Sequence, residues 1–253
     1  MRTFNHRLIS LAAIAMTAFS PTLFAQSEDA AKLPGGTWAS IEELPNFVDV
    51  WETSRGPGGP GGRNARPTLT PEYQAMADAY RADAPEDSPA ANCVPPGLPG
   101  VMTQPYPIEF LFTPGMVVIV SEAYMQVRHI YTDGRPHPED PDPTYMGHSI
   151  GHWEGDTLVI DSVGFVDTTP LAGAGIKHSK DMHVVERVSL ENPDLLKIET
   201  TITDPKALAE PYHRTGYYAR HSDWDIAEYI CEDNNRNFVT QEGKAGIDLS
   251  SNE

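Results

Sequence analysis

The sequence predicts a mainly β protein, an antiparallel lipocalin-like barrel with one short helix. Three observations lead there. Period-two alternation of apolar and polar residues dominates the chain from about residue 108, turn chemistry interrupts it at short intervals, and a single segment carries helical spacing. Closing such a meander on itself removes the exposed edges it would otherwise leave. A β-sandwich is the alternative packing of the same strands.

The elements follow in order. Residues 1–25 read as a signal peptide, because Arg2 and Arg7 precede the apolar run Leu8 to Phe19 and the small Ala25 closes a cleavage site. That run is too short for a membrane span, and no later stretch reaches about 18 apolar residues. The expectation is an exported protein, periplasmic or secreted, whose residues 26–253 form a single β-barrel domain. Its first strand is expected at 46–52 around Trp51, followed by a flexible loop at 55–63, RGPGGPGGR. The helix comes next: Thr70 is suited to cap it, Pro71 to its first turn, and Tyr73, Met76, Ala77 and Tyr80 recur on one face up to about Ala84. The proline-rich stretch 84–100 reads as an extended crossing.

Two strands are expected within 108–134, joined at Thr113-Pro114-Gly115, the second long. On it Glu122, Tyr124, Gln126 and Arg128 share one face, and Ser121, Ala123, Met125, Val127 and His129 the other. A proline-stiffened loop, DGRPHPEDPDP (133–143), leads to a hairpin over 147–165 that turns near Glu154-Gly155-Asp156. A second hairpin joins 182–190 to 195–203, and residues 214–220 and 227–231 supply two more strands.

The 36 acidic residues against 18 Lys and Arg give a formal net charge of -18. Nucleic acid, an anionic membrane surface and polyanionic substrates are therefore disfavoured partners. In an exported chain the even pair Cys93 and Cys231 reads as a disulfide, closing a loop worth about 4–5 kcal/mol in the chain-entropy description. Two buried free thiols are the competing reading. Neither Cys has a CxxC partner.

The runs CVPPGLPG (93–100), PYPIEFLFTPG (105–115), IYTDGRPHPEDPDPTYMGHSIGHWEGDTLVIDSVGF (130–165), HSKDMHVVER (178–187) and TDPKALAEPY (203–212) resemble a family of exported bacterial proteins of unassigned function. The resemblance covers roughly Cys93 to Asn235. It implies export and a shared fold, and supplies no catalytic residues.

Chemistry is suggested by histidine. Six of the nine, His129, His137, His148, His152, His178 and His183, are concentrated between residues 129 and 183. HSIGH (148–152) has the spacing of a helical metal site, but its flanking glycines and hairpin signals argue for a strand. There the two imidazoles stand about 13 Å apart, four rises of about 3.3 Å, too far to share one ion. No phosphate-cradling glycine loop or serine-hydrolase elbow is present.

Three functions fit. The first is a cofactor-independent enzyme of lyase or isomerase type that eliminates, hydrates or isomerises a small, largely apolar hydroxylated molecule. His183 would be its base, His178 or His148 its acid, and Asp161 or Glu186 an orienting carboxylate. Arg128 or Tyr124 would donate to developing negative charge, with Tyr145 lining the substrate pocket. The second is a zinc or copper protein drawing ligands from His137, His148, His152, His178 and His183. The third is a non-catalytic carrier of a small apolar ligand. The oligomeric state is open, and no partner subunit is required.

Overall fold

Apolar residues at every second position give each strand one face that must leave water, and nine strands bury those faces by closing into a ring. The computed structural model describes residues 29–57, 66–82, 93–172, 175–231, 237–239 and 245–247. The leader and residues 58–63 of the glycine-proline loop lie outside the described residues.

The strands are β1 (Asp49–Ser54), β2 (Ile108–Thr113), β3 (Met116–Ser121), β4 (Gln126–Tyr131), β5 (His148–Glu154), β6 (Thr157–Val163), β7 (His183–Asn192), β8 (Leu195–Thr203) and β9 (Tyr212–His221). Each pairs with its sequence neighbours, and β9 pairs with β1 to close the barrel. A separate two-stranded sheet joins β10 (Asn237–Val239) and β11 (Ala245–Ile247). The interior holds Phe110, Ile119, Ile130, Leu158, Ile160, Val184, Val188, Leu196 and Ile198, all buried.

The barrel expectation holds with one departure: β4 and β5 run parallel, through only two residue pairs, Ile130↔Ser149 and Tyr131↔Ile150. Parallel neighbours need a long return, and here it is the proline-rich crossover 132–147. Thr144 anchors its end, exchanging backbone hydrogen bonds with Gly164 and Val166.

The long second strand expected after Gly115 is broken. Chain reversal at the 3-10 turn Ala123–Met125, where Tyr124 and Met125 have φ of 57° and 48°, separates β3 from β4. The reversal changes the parity of everything beyond it. Arg128 therefore pairs with Ile119 and is buried with it, while His129 is exposed.

The 147–165 hairpin turns through Gly155 and Asp156, between the paired Glu154 and Thr157, with Gly155 at φ 58°. The helix is Pro71–Ala82. Thr70 does not cap it with its side chain; the hydroxyl donates to the Lys206 carbonyl at 2.7 Å and ties the helix start to the connection between β8 and β9. Residues 227–231 are not a strand. They lie against the β3–β4 turn, where the Ala227 N–H donates to Glu122 and Tyr229 packs between Tyr106 and Tyr124. Cys93 and Cys231 form a disulfide across 138 residues, with Cα atoms 5.7 Å apart, so the two-thiol reading is set aside. Among the described residues no helix is long and apolar enough to cross a membrane.

Candidate functional site

Strand alternation decides which side chains can meet. On β5 His148 faces outward and Ser149 inward; on β6 Asp161 is outward and Ser162 inward; on β7 His183 is outward and Val184 inward. Three neighbouring strands thus present an imidazole, a carboxylate and an imidazole on the outer wall. The crossover that makes the parallel seam adds a fourth group, His137.

The four form a chain of contacts. His148 Nδ1 lies 2.8 Å from His137 Nδ1, His137 Nε2 lies 3.0 Å from Asp161 Oδ1, and His183 Nε2 lies 2.8 Å from the same Oδ1. Asp161 has only oxygens to offer, so both imidazoles donate to it. His137 uses its two ring nitrogens in opposite directions, which makes the arrangement a linear relay. Among the described residues no three His, Cys, Asp or Glu side chains converge in a group that could hold a metal ion. Asp161 and His183 keep over a third of their side-chain surface in solvent, so the relay is reachable from outside.

Two neighbours condition it. Tyr131 stacks on His148 with ring centres 5.4 Å apart, and the Arg135 guanidinium lies 4.1 Å from the centre of the Tyr131 ring. Asp133 holds Arg135 through Nε and Nη2, which leaves Nη1 with no partner among the described residues. Burial first, then His137 and Arg135, hold the His148 pKa below the ordinary imidazole value. The Arg135 pair conversely draws the Asp133 carboxyl down. Sequence reasoning passed over Arg135 and Tyr131. Their only signal was sequence nearness to His137 inside a loop whose path the prolines alone do not determine.

The remaining expected site residues are elsewhere. His178 is buried beside Phe165: Nδ1 bonds the Ser179 carbonyl at 2.8 Å, and Nε2 meets the Thr169 hydroxyl at 2.7 Å. Burial lowers its pKa, so the neutral ring donates from Nδ1 and accepts at Nε2, with neither nitrogen left over. Asp204 secures the adjacent Ser179 through its N–H and hydroxyl. No hydrogen bond links His178 to His183.

His152 pairs with exposed Glu154 at 3.2 Å and takes no part in the relay. Glu154 also accepts from Arg187, and both partners depress its pKa. Glu186 is on the wall opposite His183, facing the interior, where its Oε2 lies 2.6 Å from Arg128 Nη2. Arg128 is therefore inside the barrel while the relay is outside. Tyr124 is engaged with Tyr229, and Tyr145, exposed, makes no hydrogen bond or ring contact with the relay.

Fold and site together define a nine-stranded mixed barrel with a histidine–aspartate relay on its outer wall. No protein-family model and no curated protein matches the chain, so no activity is carried over from a relative.

Proposed function

We propose that this protein is an exported, cofactor-independent enzyme that moves protons on a small, largely apolar hydroxylated molecule, by elimination, hydration or isomerisation. The observation that carries the reading is the shared carboxylate, with Asp161 Oδ1 accepting from both His137 and His183. In this reading His183 is the base. Its Nε2–H is committed to Asp161, so its Nδ1 lone pair takes the substrate proton and Asp161 stabilises the imidazolium that forms.

His148 and His137 supply the returning proton. When His137 is charged it donates from both nitrogens, and His148 then carries its own proton on Nε2, from which a leaving hydroxyl can be protonated. When His137 is neutral, the shared proton sits on His148 Nδ1 and Nε2 becomes a base. As His148 Nε2 gives its proton to the leaving hydroxyl, the shared proton shifts from His137 Nδ1 to His148 Nδ1, both rings end neutral, and His148 changes from acid to base. Arg135 is a cation beside His148, over the Tyr131 ring that stacks on it, and would stabilise negative charge developing on a substrate oxygen. His178, with both nitrogens satisfied, has a structural role in this scheme.

Export is supported by the Cys93–Cys231 disulfide, which persists in oxidising compartments, together with the leader-like residues 1–25. The test is to incubate the purified protein with a panel of small hydroxylated compounds in deuterated water and follow proton exchange and loss or gain of water by NMR. Turnover is expected to fall by about 10²–10⁴-fold in His183→Ala and in Asp161→Asn. Unchanged turnover in His183→Ala would remove the assignment of the base. Elemental analysis of untagged protein runs beside it: about one zinc or copper per chain, lost in His183→Ala, would replace this reading with a metalloprotein.

A further inference from the structure

We propose that Arg128 is a positioning residue: from inside the barrel it fixes β5, β6 and β7 in the arrangement that brings His148, Asp161 and His183 together on the outside. The inference rests on reading that outer cluster as the site. Its basis is a set of contacts on the inner wall. Arg128 Nε donates to Ser149 Oγ at 3.1 Å, Nη2 donates to Ser162 Oγ at 2.8 Å, and Nη2 also lies 2.6 Å from Glu186 Oε2, a charge contact poorly aligned as a hydrogen bond. The two serines meet each other at 2.8 Å.

Each contacted residue is a neighbour of a relay residue on the same strand. Ser149 follows His148, Ser162 follows Asp161, and Glu186 lies three residues beyond His183. Because alternate residues face opposite ways, a side chain that grips Ser149 and Ser162 from within sets the height and tilt at which His148 and Asp161 emerge outside. Arg128 itself sits on β4, across the seam where the backbone offers only two residue pairs. Its side chain supplies the cross-links that this short ladder lacks.

The chemistry of the group supports direction over bulk. Arg128 and Glu186 are each 1% exposed. A buried ion pair carries a desolvation penalty that apolar residues of similar volume avoid, so filling space does not call for one. A guanidinium has a planar fork whose N–H vectors are fixed relative to one another, and it can engage several strands at set angles.

The test compares wild type with Arg128→Met/Glu186→Leu, which removes both charges and keeps the volume. Protein labelled with nitrogen-15 at histidine is observed in the downfield proton spectrum, where hydrogen-bonded imidazole N–H resonances appear, and the signals bonded to Asp161 are identified by their loss in Asp161→Asn. The double variant is expected to melt cooperatively and yet lose or displace those signals. Ile198→Val, a buried change on β8, is expected to leave them in place. Ser162→Ala, which removes the hydroxyl that accepts from Arg128 and bonds Ser149 while leaving both charges in place, provides a second variant should the double one fail to fold, with the same displacement expected. Native resonances in a folded double variant, or in Ser162→Ala, would overturn the proposal. The spectrum needs no substrate, so loss of the enzymatic reading through an unaffected His183→Ala would be a separate result.

Discussion

His137 and His148 meet nitrogen to nitrogen, Nδ1 to Nδ1 at 2.8 Å, with only one hydrogen accommodated between them. The two rings therefore share a proton, and both cannot be charged while the contact lasts. A loop residue and a strand residue are locked together by a bond that acid breaks.

Stability is accordingly expected to depend on pH near neutrality. His148 and buried His178 both bind a proton more weakly in the folded chain than the ordinary imidazole value of 6.5. The unfolded chain then takes up more protons as pH falls below that value, so their contribution is fully present above it and lost on acidification. Thermal melts at pH 7.5 and 5.5 should show wild type losing on the order of a few degrees. His148→Gln should lose less. An equal loss in both would assign the effect to other groups.

Gly147 is expected to be intolerant of a side chain. Its φ is 66°, and an added Cβ would lie 2.6 Å from the Phe165 ring and 2.7 Å from the Val163 carbonyl. Gly147→Ala should cost at least about 1–3 kcal/mol in urea unfolding. Because it displaces the start of β5, the His137–His148 contact should go while the His183–Asp161 bond, held by β6 and β7, stays. Histidine NMR distinguishes the two.

Cutting the disulfide should lower stability without rearranging the relay. A closed loop of 138 residues restricts the unfolded chain by about 4–5 kcal/mol. Cys93→Ser/Cys231→Ser should unfold at correspondingly lower urea. A difference under about 1 kcal/mol would mean that the reduced chain stays tethered by Tyr229 and the Glu122–Ala227 bond.

The Arg128–Glu186 pair should show strong non-additivity. Arg128→Met alone leaves a carboxylate buried and unpaired, a loss of about 3–5 kcal/mol, whereas the double change to Met and Leu should be near neutral or stabilising. A double-mutant cycle in urea measures the coupling. Additive losses would mean that water reaches Glu186.

Much of the barrel was legible because its signals are local. The Glu154-Gly155-Asp156 turn, the alternation along 183–187 and the strand geometry that keeps His148 from His152 each follow from a few adjacent residues. The β3–β4 turn was not legible, since Tyr124 and Met125 adopt positive φ without being glycine and nothing in their chemistry announces it. That single turn moved Arg128 to the inside and His129 to the outside. The relay was half legible. Asp161 and His183 lie on adjacent antiparallel strands, but His137 reaches them through a sixteen-residue crossover whose course depends on tertiary anchors such as Thr144 and Gly164.

The parallel seam has a consequence for how the molecule breathes. With two residue pairs between β4 and β5, the least costly opening of the barrel is a local one along that line, and amide exchange should be fastest there among the strands. The crossover spanning the seam carries His137, so the fluctuation that most readily admits solvent also disconnects the relay. Chemical competence is thereby tied to the integrity of the weakest ladder in the sheet.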